Sequence, residues 1–272
     1  MISAREATVC MQLDDVYEGE CVSLLQSGVP DKTVDMCYAD PPYNLSGKAL
    51  GLPNNTTGGP YHKMNEIWDV MSAEQYSDFT GQWVDQVYRV LKDGGSLYTS
   101  CTFHSIADVI TAGRRAGFRL LDVLTWYKPN AMPSITRRMF TYSTEFVCWF
   151  VKGSRWTYNY AELKKLSPDL TRDGKRRQLR DFISIPVVQG RERLHGETGR
   201  ALHPTQKPER LLEIVITASS HEGGLVLDPF FGTGTTGVVA RRLHRHFIGM
   251  ESDPIYVRAA RKRLFEENVG GR

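Results

Sequence analysis

Two short stretches carry residue types that could do chemistry. The first, Asp40-Pro41-Pro42-Tyr43, follows the mostly apolar run Val34 to Ala39, and its prolines forbid both a helix and a continuing central strand. A buried strand therefore ends at Asp40. In so rigid a turn the Asp40 carboxylate and the Pro41 carbonyl, which no helix uses, are adjacent acceptors. Such a pair suits both hydrogens of an exocyclic amino group. Tyr43 then offers a flat face on which an unstacked base could lie. Read as plain structure, the same residues merely end a strand.

The second stretch, Gly232-Thr233-Gly234-Thr235-Thr236-Gly237, follows a predicted strand, Leu225 to Asp228, and opens a helix. It matches G-x-G-x-x-G, in which glycines let the backbone approach a ligand closely, and Glu251 at the end of the next strand is its acidic partner. On its own this motif points to a nicotinamide or flavin enzyme. Two features oppose that reading: only 35 residues follow Gly237, and Pro229-Phe230-Phe231 lengthens the turn after Asp228. No Gly-Lys-Ser or Gly-Lys-Thr is present, which disfavours a P-loop.

The elements that must hold these turns alternate. Ser72 caps a helical stretch through Phe79, Trp83, Val87, Val90 and Leu91, with Gly94-Gly95 as its stop. A strand over Ser96 to Cys101, a helix over His104 to Ala116, and strands over Phe118 to Trp126 and Thr144 to Val151 follow. Beyond Pro208, Leu211, Leu212, Val215 and Ile216 form one helical face. The strand ending at Asp228 comes next, then a helix towards His244, a strand over Phe247 to Met250 and a helix over Pro254 to Glu266. This pattern implies an α/β fold with a doubly wound, mostly parallel sheet and ligands at the carboxyl ends of its strands.

Composition agrees with one large domain, or one domain with an insert: 272 residues, 41% hydrophobic and 24% charged. It excludes wholesale disorder and fibrous repeats, and no apolar run approaches the roughly 18 residues of a membrane span. No membrane partner is expected. Charged residues such as Arg5, Glu6, Asp14 and Asp15 stand where a secretory signal would be apolar, so a cytoplasmic protein is expected. Five dispersed cysteines without a C-x-x-C pair argue against a disulfide framework and a zinc site; no metal is expected. The net charge of +3 is uneven, because 152–200 holds 12 Lys and Arg against 6 Asp and Glu. That segment, broken by Pro168, Gly174, Pro186 and Gly190, interrupts the alternation and reads as an insert. Its charge suits either a polyanion or a solvated loop.

Taken together, Asp40-Pro41-Pro42-Tyr43 and Asp228-Pro229-Phe230-Phe231-Gly232-Thr233-Gly234-Thr235-Thr236 resemble the S-adenosylmethionine-dependent DNA amino-methyltransferases, in the β arrangement where the catalytic motif precedes the cofactor motif. The resemblance implies a circularly permuted Rossmann-like sheet completed by an N-terminal strand, here Asp14 to Glu20. It divides the chain into a catalytic half (1–151), a small basic target-recognition insert (152–200) and a cofactor-binding half (201–272). The catalytic residues implied are Asp40, Pro41, Pro42 and Tyr43. For S-adenosylmethionine, Gly232, Thr233, Gly234 and Thr235 would line the methionine and ribose side, with Phe230 in the same motif. Glu251 would accept from the ribose hydroxyls and Asp228 would lie near the amino group. Glu20-Cys21 falls where the family contacts the cofactor adenine, with Glu20 in place of the more usual Asp. His203-Pro204-Thr205-Gln206-Lys207-Pro208 resembles a further cofactor motif, in which Thr205 and Lys207 would contact the cofactor, Lys207 at its carboxylate. His203 is given no catalytic role. Trp126-Tyr127-Lys128-Pro129-Asn130 and the strand opening at Thr144-Glu145 are also similar to family segments.

The expected reaction is methylation of adenine N6 in double-stranded DNA, the base being flipped out of the duplex. Cytosine N4 is the nearer alternative, although its enzymes usually present a Ser-Pro-Pro-Tyr turn. Methylation at cytosine C5 would need a Pro-Cys nucleophile that is not present. A dinucleotide oxidoreductase and a DNA-binding module without activity are the alternatives of other classes. Lys175, Arg176 and Arg177 are expected at phosphates, and Gln189, Arg191 and Arg193 at base edges. Arg137 and Arg138 provide a second candidate DNA path. The glycine-rich loop from Asn44 to Trp68 is expected to close over the flipped base. The resemblance also implies a homodimer and a place at the nucleoid, with either a cognate restriction endonuclease as partner or an enzyme that acts alone.

Overall fold

The computed structural model describes residues 11–44, 71–134, 137–196 and 199–270; the loop beyond Asn44 expected to close over the base lies outside them. In chain order the elements are β1 (Asp15–Glu18), α1 (Cys21–Gly28), β2 (Val34–Ala39), α2 (Ala73–Val90), β3 (Leu91–Cys101), α3 (Ile106–Ala116), β4 (Arg119–Tyr127), β5 (Thr144–Val151), α4 (Tyr160–Lys165), β6 (Phe182–Ser184), α5 (Glu209–Ser219), β7 (Leu225–Asp228), α6 (Thr235–Arg242), β8 (His246–Glu251) and α7 (Pro254–Gly270). The strands form one sheet in the order β1-β8-β7-β2-β3-β5-β4-β6. It is parallel except at β5, which runs against both β3 and β4. β1 lies beside β8, so the first described strand closes the half of the sheet built by the C-terminal elements, as the expected circular permutation requires.

Alternation along β2 explains the two helical layers. Met36 and Tyr38 pack in a cluster with residues of α5, α6 and α7, whereas Cys37 and Ala39 join residues of α1, α2 and α3 on the other face. Successive strand side chains point to opposite faces, so a central strand covered on both sides must be apolar throughout. At the head of α2, Ser72 accepts from Gln75 N and the Gln75 side chain accepts from Ser72 N, a reciprocal cap that places the helix start as its sequence suggests.

Two expectations change. Gly94-Gly95 does not stop α2, which ends at Val90; both glycines lie inside β3. Pairing slips there, from Val34 opposite Leu91 to Met36 opposite Ser96, and a side chain on Gly94 would meet the Arg155 carbonyl at 2.8 Å. The glycines permit a bulge and a close backbone approach. The basic segment, in turn, does not merely interrupt the fold. β6 pairs in parallel with β4, the Trp126 indole donates to the Ile185 carbonyl at 2.7 Å, and Leu163, Ile183, Ile185 and Val188 are buried. A three-residue strand is too short for its period to be read from sequence.

The glycine turn after β7 is seated by Phe231. Its ring stacks on Phe247, its backbone N–H donates to the Met250 carbonyl at 2.8 Å, and it occupies the space that side chains on Gly237 of α6 and Gly249 of β8 would need. A Cβ on Gly249 would lie 2.5 Å from the ring. Gly249→Ala should therefore cost about 1–3 kcal/mol through overpacking. Thermal denaturation checks this; an unchanged midpoint would mean that Phe231 is free to move.

Candidate active site

The carboxyl ends of β1, β2, β7 and β8 open onto a cavity of about 270 Å³. From β2 it is lined by Asp40, Pro41, Pro42 and Tyr43, and from β7 and its turn by Asp228, Phe230, Gly232, Thr233 and Thr235. Glu251 from β8, Glu20 and Cys21 at the head of α1, and Thr205 and Lys207 before α5 complete the expected set. The sheet changes winding direction between β7 and β2, and the crevice beyond the strand ends at such a point is where open α/β sheets bind ligands.

Gly234 is the exception. It sits outside the lining, in the left-handed region at φ 82°, where an added Cβ would lie 3.1 Å from the Ala260 Cβ of α7. Its role is the left-handed turn packed tightly on α7, a backbone conformation that favours glycine.

Asp40 is held at both oxygens. The Tyr43 hydroxyl donates to Oδ1 at 2.7 Å and the Lys207 ammonium to Oδ2 at 2.5 Å. Glu145, at the start of β5, lies 3.3 Å from the Tyr43 hydroxyl and accepts from Lys128 at 3.0 Å. Burial raises the pKa of Asp40 from its ordinary value, with Lys207 and Tyr43 pulling the other way. Burial also acts on Glu145, but there Lys207 and Lys128 prevail and hold it low. Lys207, expected at a cofactor carboxylate, thus spends its charge on Asp40. It also stands 5.3 Å above the Tyr43 ring, so one face of the expected stacking platform carries an ammonium.

The acidic side of the cavity is different. Asp228 is 2% exposed; it accepts from Phe230 N at 2.9 Å and from the Thr236 hydroxyl at 2.5 Å, and among the described residues it has no ion-pair partner. Burial, opposed by those two hydrogen bonds, lifts its pKa to about 7. Glu251 accepts from Gly232 N and Asp253 N, both at 2.8 Å, and burial raises it too. Glu20 uses its carboxylate to cap α1, accepting from Val22 N and Ser23 N at 2.9 and 2.8 Å. His203 lines the cavity against Tyr256; burial first, then Lys207 and Arg193, lower it to about 4, so it is neutral at physiological pH.

The residues expected at DNA lie elsewhere. Lys175 pairs with Asp173, while Arg176 and Arg177 donate to the carbonyls of Ser167 and Leu170, in an exposed turn. Gln189 and Arg191 are exposed at a short 3₁₀ turn, Gly190–Glu192, and Arg137 and Arg138 are exposed beyond β4. Arg193 is not free to read a base: its guanidinium donates to the carbonyls of Val188 and Pro204 at 3.2 and 3.3 Å, tying the basic segment to the loop that carries Lys207. Glu145 and Lys128 are absent from the sequence-derived site. The available signal was a carboxylate opening an otherwise apolar strand.

The sequence model of the DNA methylase family, N6_N4_Mtase, matches residues 34–262. The chain belongs to this family. It is similar to the Type II methyltransferase M2.DpnII of Streptococcus pneumoniae, 39% identical over 247 residues that cover 89% of this chain and 86% of the relative. It is similar also to M2.LlaDCHI of Lactococcus lactis subsp. cremoris, 39% identical over 254 residues, 92% and 88% of the two chains. Among solved structures, the M1.HpyAVI–SAM complex matches with a TM-score of 0.65 at 25% identity, covering 92% of this chain and 98% of that one. The cytosine-N4-specific PvuII DNA methyltransferase shares the fold, with a TM-score of 0.70 at 19% identity over 97% and 94% of the chains. The protein is an S-adenosylmethionine-dependent DNA amino-methyltransferase. The cavity fits that cofactor: Asp228 is a buried carboxylate without a cation, Glu251 is an acceptor at a strand end, and Phe79 and Phe230 provide apolar walls. No helix of the described residues is long and apolar enough to cross a membrane.

Asp228 yields a test on the ligand-free protein. Its folded pKa of about 7 lies above the unfolded value of about 3.9, so its contribution to stability is full below pH 4 and lost as the pH rises through 7. Asp228→Asn removes that loss. Measured by denaturant unfolding, the variant should gain on the parent across this window by on the order of 4 kcal/mol, whereas a pH-independent difference would mean that Asp228 ionises normally.

Proposed function

We propose that the enzyme methylates N6 of an adenine turned out of duplex DNA. The observation that carries this reading is Asp40 itself: a carboxylate, not a serine hydroxyl, stands at the end of β2, facing the same cavity as Asp228 and Glu251. Bound S-adenosylmethionine supplies a methyl group on a positively charged sulfur. Asp40 accepts one hydrogen of the amino group and the Pro41 carbonyl the other, which localises the nitrogen lone pair towards that methyl. The nitrogen–carbon bond forms as the carbon–sulfur bond breaks, and the extra proton leaves the nitrogen afterwards. Because the leaving group is already cationic, most of the acceleration comes from alignment and preorganised acceptors. Tyr43 orients Asp40 through its hydroxyl and presents its ring to the base.

For the cofactor, Gly232, Thr233 and Thr235 line the methionine and ribose side, Glu251 accepts from the ribose hydroxyls, and Asp228 receives the ammonium group. Thr205, Phe230, Glu20 and Cys21 complete the wall, Glu20 through backbone and stem because its oxygens are committed to α1. The segment 152–200 is the region that meets DNA, with Lys175, Arg176 and Arg177 near phosphates and Gln189 and Arg191 near base edges. The naming of both relatives as Type II methyltransferases supports a cognate restriction endonuclease as partner, acting at the nucleoid in the cytoplasm. A homodimer is the expected assembly.

The test is transfer of labelled methyl from S-adenosylmethionine to duplex DNA, followed by digestion to nucleosides. N6-methyladenine is expected; N4-methylcytosine would overturn the choice of base, and no incorporation would overturn the reaction. Asp40→Ala should abolish transfer yet bind the cofactor as the parent does. Glu251→Ala should weaken cofactor binding by about 2–3 kcal/mol, the worth of hydrogen bonds to a charged acceptor; calorimetry showing parental affinity would remove Glu251 from that role.

A further inference from the structure

Lys207 reaches Asp40 from the segment before α5, and only 6% of its side chain is exposed. An ammonium taken this far from water is costly unless it is paired, so its partners say what it is for. They are Asp40 at 2.5 Å and Glu145 at 3.9 Å, with Lys128 neutralising Glu145 from the other side at 3.0 Å. Among the described residues Lys207 is the cation paired with Asp40, and the other titratable groups acting on that carboxylate bring no positive charge. They are Tyr43 in its own turn, Tyr38 of β2, Cys101 at the end of β3 and Asp228 at the end of β7. Without Lys207, Asp40 would be a buried acid between two carboxylates.

We infer that Lys207 is a positioning residue that keeps Asp40 a bare anionic acceptor, so that the amino group to be methylated always meets an oxygen able only to accept. The inference rests on the reading of Asp40 given above. An ionised carboxylate has acceptor sites alone, whereas a protonated one donates through one of its oxygens and would set donor against donor when facing the amino hydrogens. Tyr43 holds Oδ1, which leaves Oδ2 as the oxygen that Lys207 occupies until the base arrives. Lys207 has three hydrogens to place. On yielding Oδ2 it retains Glu145 and, at 3.4 Å, the Thr205 carbonyl, so its charge stays beside Asp40 while the contact passes to the substrate. Burial opposes the charge on Lys207, but the attraction of Asp40 and Glu145 prevails and keeps it protonated.

The experiment is single-turnover methylation of duplex DNA by the full chain at saturating S-adenosylmethionine, followed against pH for the parent, Lys207→Arg and Lys207→Met. In Lys207→Met the acid limb should move up by about one to three pH units. Activity should fall about tenfold for each unit below that limb and recover at alkaline pH, while Lys207→Arg keeps the parent's limb. If Lys207 serves only a cofactor carboxylate, Lys207→Met will weaken cofactor binding and lower the rate by one factor at every pH, which overturns the inference. Glu145→Gln gives a second reading should Lys207→Met not fold: losing a like charge beside Asp40 must move the limb to lower pH, and an unmoved limb overturns the inference. Failure of the parent to methylate DNA, or activity in Asp40→Ala, would bring down the reading of Asp40 and this inference with it. A pH-independent Lys207→Met in an otherwise active enzyme brings down this inference alone.

Discussion

Met36 and Cys37 pair with Val226 and Leu227 at the centre of the sheet, and this short parallel contact brings together two turns from opposite halves of the chain. Asp40 leaves β2 and Asp228 leaves β7 on the same side, where the winding of the sheet reverses and no crossover helix can fill the gap. The rigid prolines on one turn and the buried glycine turn on the other then face a common cavity. Shifting either strand by one residue would turn its terminal carboxylate to the opposite face of the sheet, so this register is what makes the two motifs one site.

That convergence has an electrostatic cost. Asp40, Glu145, Asp228 and Glu251 share a region poorly reached by water, and burial opposes ionisation of each of them. The fold answers unevenly. On the Asp40 side it supplies two lysines, while on the Asp228 side it supplies hydrogen bonds without a cation. The first arrangement pairs the buried carboxylate with a cation; the second leaves, among the described residues, a buried carboxylate with hydrogen bonds alone.

The basic segment is tied to the site by its own contacts. β6 extends the sheet beyond β4, and Arg193 clamps the carbonyls ahead of the segment that carries Lys207. Glu192 accepts from the N–H of Glu209 at the head of α5 at 2.7 Å, and its carbonyl accepts from Gln206 at 2.7 Å. A few hydrogen bonds therefore fix the basic segment to the loop that carries Lys207.

Much of this was legible in the amino-acid order, because it depends on neighbours along the chain. Proline forbids the helix after Asp40, serine caps α2, apolar spacing marks strands and helices, and the turn of Gly232-Thr233 lines one cavity with Asp228 and Glu251. Even the pairing of β1 with β8 followed from recognising the order of the motifs. What only the tertiary structure decided is which partner each polar group spends itself on. Lys207 went to Asp40, Arg193 to carbonyls, Glu20 to a helix cap and Gly234 to the packing of α7. Glu145 joined the site from an antiparallel strand whose family likeness gave its carboxylate no role. The type of a residue sets what it can bond to, but the low-dielectric interior makes every buried charge and hydrogen bond depend on groups brought near by the sheet, and their distance along the chain carries no information about that choice.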